Sequence, residues 1–179
     1  MDPDQHHRAP PPQPIQPRGF FTGLKIRPIV AGAVVDYVVS YLLILLYLVA
    51  YHVKDLSDKG GLPEEALEKA LGEALSSREG LLALILIGAF GTALGGYVAG
   101  RLAGSDEVKH GALVGAVSLI VGALQSAVAG GGSPVPYWYE LLGYVLTIPA
   151  GALGGSFAQG ETGRPPGGPI LKNNVGKSP

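Results

Sequence analysis

Asp36 is the residue with the clearest chemical potential. It is the only acid in an apolar run from Ile29 to Val53. An ionisable group that must enter a membrane interior is costly, and by default marks a proton or cation site. Gly32, Asp36 and Ser40 lie four residues apart and share one helical face, a small polar stripe that should turn toward neighbouring helices. At similar depth, later apolar runs offer Thr92, Ser118 and either Thr147 or Ser156, hydroxyls able to hydrogen-bond a carboxyl group. Two readings stand side by side. Asp36 is an ion-coupling or proton-coupling group, or it sets helix register through hydrogen bonds. No basic or second acidic side chain lies within any span to act as its partner.

Other polar residues carry weaker signals. Gln125 lies closer to the outer face and reads as a helix–helix hydrogen bond. Arg101 ends an apolar run, where its charge snorkels to lipid headgroups. Its alternative is a pairing with Asp106 or Glu107 in the short loop that follows. His110 and His52 sit singly near span ends, minor candidates for a haem, pigment or metal ligand. His6 and His7 are adjacent in a tail, and two neighbouring histidines alone make no metal site. There is no cysteine, nucleophile elbow, phosphate loop, HExxH or paired-carboxylate constellation. The reading is therefore non-enzymatic, with no metal and no cofactor.

These residues need a scaffold, and composition names its solvent. Hydrophobic residues make up 47% of the 179-residue chain and charged residues only 15%, against about a quarter charged in soluble domains. A net charge of −1 gives no footprint for nucleic acid. The lipid bilayer is the expected partner. A hydrocarbon core takes roughly 20 apolar residues as helix, and four stretches qualify: 29–53, 81–101, 111–129 and 141–159. The first is too long for a signal peptide and reads as an uncleaved span. Its 14 Val, Ile and Leu residues outweigh the insertion cost of Asp36, about 2.5–3.5 kcal/mol at mid-span. The expected fold is all-α, a polytopic four-helix bundle.

Basic residues orient the spans. With both termini cytoplasmic, 9 Lys and Arg lie inside and 4 outside, as expected in a cell inner or plasma membrane. The outer loop 54–80 contains an amphipathic helix over 63–77, with Leu67, Ala70, Leu71, Ala74 and Leu75 on one face. It either packs flat on the bundle or forms a lid or docking surface. The cytoplasmic loop 102–110 is short. In the outer loop 130–140, Tyr137, Trp138 and Tyr139 suit the interfacial belt, with Trp138 as an anchor beside Arg101 at the other face.

Glycine dominates the spans. Gly91, Gly95 and Ala99 form one ladder; Thr92, Gly96, Gly100 and Gly104 form the next. Gly111 and Gly115, then Ser118, Gly122 and Ser126, repeat the device, as do Gly143, Thr147, Gly151 and Gly155. In lipid such GxxxG spacing lets helix backbones approach closely, which replaces the hydrophobic force that water would supply. "TALGGYVAG" and "GALGGSFAQ" also echo each other weakly, as two duplicated hairpins would.

The stretch "GGYVAGRLAGSDEVKHGALVGAV", Gly95 to Val117, resembles a signature of small, glycine-rich, four-span prokaryotic membrane proteins. That resemblance implies the four-span fold and no mechanism, because the family lacks an assigned activity. The Pro-rich tail 1–28 favours extended polyproline II, and the tail 160–179 cannot form a core alone. Such tails imply other membrane protein subunits as partners. The leading expectation is a non-catalytic accessory subunit of a larger membrane complex, respiratory or photosynthetic. The alternative is a small transporter or channel component using Asp36, and a third is a glycine-zipper homo-oligomer.

Overall fold

The computed structural model describes residues 23–59, 64–128 and 135–162. Residues 1–22, His6 and His7 among them, and 163–179 lie outside the described residues. Among the described residues five helices follow one another: α1 (Ile26–Lys59), α2 (Glu64–Ser76), α3 (Arg78–Ala103), α4 (Glu107–Val128) and α5 (Tyr137–Thr162). Among the described residues there is no strand. Helices α1, α3, α4 and α5 are each long and apolar enough to cross a membrane. The protein is an all-α, multi-pass membrane bundle.

The helices outrun the apolar stretches, because polar first and last turns continue into the interface. α1 begins three residues before Ile29 and extends to Lys59, and α3 and α4 begin three and four residues earlier than hydropathy alone indicates. Ser77 caps α3, its hydroxyl accepting the Gly80 amide at 3.0 Å. Gly104 closes α3 in the left-handed region with φ 62, donating its amide to the Gly100 carbonyl. Pro149 sits inside α5, tolerated because neighbouring helices support the bundle.

Helix pairing is read from facing residues. Gly32 meets Gly95 and Ala99, so α1 and α3 run antiparallel. Gly96 faces Gly151 and Gly100 faces Ala158, so α3 and α5 run parallel. Gly111 faces Gly151 and Gly155, and Gly115 faces Thr147, making α4 and α5 antiparallel. The spans therefore alternate in direction. The two ladders of α3 have separate targets: Gly91 and Gly95 take α1, while Gly96 and Gly100 take α5. At most of these positions an added Cβ would collide with a neighbouring backbone. That closeness explains why glycine's propensity cost is accepted here. Ile29, Ala99 and Val114 fill the small core beneath.

Gly122 departs from the expectation of helix packing. A Cβ there would meet nothing within 4 Å, and the same holds for Gly88 and Gly143. All three lie toward the end of the bundle that carries α2, where the helices separate. The amphipathic helix packs flat, placing Ala70 and Ala74 on Leu48 of α1. Outward, Val30, Val34, Val38, Leu42 and Leu46 of α1 and Leu86, Phe90 and Phe157 elsewhere are exposed, as lipid contact requires.

Candidate functional site: a buried carboxylate in a four-helix cavity

Helix separation creates a cavity of about 320 Å³, lined by all four spanning helices. It reaches from Asp36 near the middle of the bundle to Glu140 in the first turn of α5. Asp36 is only 4% exposed. Its turn of α1 is held against α3 because Gly91 and Gly95 leave room for the Asp36 and Ser40 side chains.

Three hydroxyls donate to the carboxyl group. Ser40, one turn along α1, reaches Oδ1 at 3.2 Å. Thr92 of α3 reaches Oδ2 at 3.0 Å, and Ser118 of α4 reaches the same oxygen at 2.5 Å. The polar stripe of α1 and two of the depth-matched hydroxyls therefore converge. The other two do not. Thr147 lines the cavity but donates to the Gly143 carbonyl at 2.6 Å, and Ser156 is exposed and donates to the Leu153 carbonyl.

An ionised carboxylate accepts about four hydrogen bonds. Thr92 has one hydroxyl proton and the Gly88 carbonyl also lies 3.0 Å from it, so Oδ2 is served by Ser118 and shares Thr92, while Oδ1 accepts from Ser40 alone and keeps an acceptor position. Protonated, the same group donates to one hydroxyl, which then turns to accept. Among the described residues no Lys, Arg or His lines the cavity.

The remaining residues lie elsewhere. Gln125 is exposed on α4 beside Val121, Leu124 and Val128, outside the cavity. Trp138 stacks edge-on against Tyr139, ring centroids 6.2 Å apart. Arg101 pairs with Glu161 of α5 at 3.0 Å, and the Tyr97 hydroxyl donates to the same carboxylate at 2.9 Å. The parallel α3–α5 pairing brings these groups together, a contact invisible in the loop sequence.

His110, a minor ligand candidate by sequence, is engaged otherwise. It is fully buried, and both ring nitrogens are engaged. Nε2 accepts the Lys25 amide at 3.1 Å, so Nδ1 carries the proton and donates to the Asp106 carbonyl at 3.0 Å. No lone pair remains for haem, pigment or metal. The Lys25 ammonium meanwhile donates to the Ala103 carbonyl at 2.6 Å, capping the C-terminal end of α3. His110 and Lys25 lock the start of α1 to the α3–α4 turn. His52 lies on α1, its side chain outside the described set.

Sequence reasoning missed Tyr37, Tyr139, Glu140 and Tyr144 as lining residues. The signal was present in part: Ser118, Gly122 and Ser126 make one small face of α4, and all three line the cavity. Among the described residues no group of three or more His, Cys, Asp or Glu could hold a metal. No known protein family, curated protein or solved structure matches the chain. The site is therefore read from its own geometry.

Proposed function

We propose that this chain is a small transporter or channel component in which Asp36 takes up a proton or another cation. The observation that carries this reading is a buried carboxyl group, held by hydroxyls, at the end of a cavity that no basic side chain lines among the described residues. An intramembrane acid in such surroundings is retained against its insertion cost. With the basic residues oriented to the cytoplasm, the α2 end faces outward and the cavity loads from outside. The setting is the inner or plasma membrane, with both termini cytoplasmic, and no chemical transformation is assigned.

The test is proton and cation flux into vesicles containing the purified full chain. Asp36→Asn is expected to lower flux at least about tenfold, a barrier increase of about 1.4 kcal/mol. Asp36→Glu should retain part of it. Unchanged flux in Asp36→Asn would overturn the reading.

The second reading is the non-catalytic accessory subunit. The exposed apolar row on α1 favours it, because that row would serve neighbouring subunits as well as lipid. It draws further on the tails, which lie mostly outside the described residues, and on the resemblance to glycine-rich four-span proteins. Under it the purified chain conducts nothing, and Asp36→Asn assembles normally with its partners.

A further inference from the structure

We infer that the cavity binds an organic ammonium ion, a monovalent amine carrying an apolar group, rather than a bare inorganic cation. The inference rests on the reading of Asp36 as a cation-coupling residue. Its first support is charge. Among the described residues the lining contains two carboxyl groups, Asp36 and Glu140, and no basic side chain, so a cation is favoured over a neutral or anionic guest. The second is size. About 320 Å³ is roughly ten times a water molecule's share of liquid volume, and stands at the small end of organic-ligand pockets.

The third support is surface chemistry. A bare divalent ion demands several converging oxygen ligands, and among the described residues no acidic or imidazole cluster supplies them. The cavity lining instead includes three tyrosines, Tyr37, Tyr139 and Tyr144, with Leu84 and Ile85. Aromatic faces attract organic ammonium groups and tolerate their alkyl substituents. Asp36 supplies the directional contact. The open acceptor position on Oδ1 takes one ammonium N–H, while the apolar group lies among the tyrosines and leucine side chains. Gly88, Gly122 and Gly143 keep that space clear, since none has an atom within 4 Å of a would-be Cβ.

The experiment is calorimetric titration of the purified full chain, in lipid nanodiscs, with benzylammonium, with the neutral isostere benzyl alcohol, and with potassium ion. Benzylammonium should bind saturably, and benzyl alcohol and potassium at least about tenfold more weakly. Tyr144→Ala should weaken benzylammonium binding about two- to thirtyfold, the range of one cation–π contact. Gly122→Leu should fill the cavity and abolish binding without touching the Asp36 hydrogen bonds. Asp36→Asn should abolish it as well; if that variant loses its helical circular dichroism, the Tyr144 and Gly122 variants carry the test.

Benzylammonium binding no better than benzyl alcohol, or binding that survives Gly122→Leu, overturns the inference. If ammonium binding fails while Asp36-dependent proton flux persists, the ligand class falls and the coupling role stands. If flux is also independent of Asp36, both fall.

Discussion

The two ends of the bundle use glycine in opposite ways. At the α3–α4 end, Gly96, Gly111, Gly151 and Gly154 bring backbones so close that a single Cβ would strike a neighbouring main chain. At the α2 end, Gly88, Gly122 and Gly143 border open space. The same residue closes one half and clears the other. The boundary falls at Asp36, which touches the close-packed Gly91 and Gly95 on one side and the cavity on the other. Glycine spacing alone therefore does not reveal packing; the facing surface assigns its role.

Substitutions at the closed end should have the largest effect on stability. Gly96→Ala or Gly154→Ala places a methyl group against backbone that cannot rotate away, and should cost about 3 kcal/mol or more. Gly88→Ala and Gly122→Ala should be neutral or stabilising by up to about 1 kcal/mol, from improved helix propensity. Denaturant unfolding in detergent measures both. Equal destabilisation at the two ends would remove the distinction.

His110→Ala comes next. It takes away both ring hydrogen bonds of a buried side chain, leaving the Lys25 amide and Asp106 carbonyl to find other partners. A loss of about 1–3 kcal/mol is expected, with faster amide exchange at the start of α1. The α2 end should exchange as before. Protection lost uniformly along the chain would show that the two ends are not independent.

Asp36→Asn sharpens the comparison from its boundary. The partners of Asp36 are hydroxyls, which can turn to pair with an amide, so the substitution should change stability by less than about 1 kcal/mol. Its cost falls on cation uptake instead. A strongly destabilised Asn variant would mark Asp36 as a register-setting residue.

The smallest effect belongs to Arg101→Ala. Both partners in its ion pair with Glu161 are about half exposed, and such pairs contribute about 0–1 kcal/mol, reduced further by salt. A larger, salt-independent loss would mean that α3 and α5 are held by charge and not by their glycine faces.

Much was legible before any coordinates. Four apolar runs of membrane length and a sparse charge content dictate an all-α membrane bundle, because lipid leaves backbone groups no partner but their own helix. The Gly32–Asp36–Ser40 stripe and the hydroxyls Thr92 and Ser118 were readable too, since helical period and depth along the span are one-dimensional properties. Local sequence also predicts the amphipathic face of α2, which needs only its own spacing.

Helix neighbours and the direction in which each side chain turns are three-dimensional, and only tertiary packing chose among them. It set Ser118 rather than Ser156 on Asp36, and paired Arg101 with Glu161 sixty residues away. It left Gly122 and Tyr144 around an open cavity. It also engaged both nitrogens of His110, which as a lone residue near a span end looked available to a ligand. Hydropathy and spacing specify what each helix would bury; contact between helices, limited by how closely two backbones can approach, decides which of those faces meet and where they part.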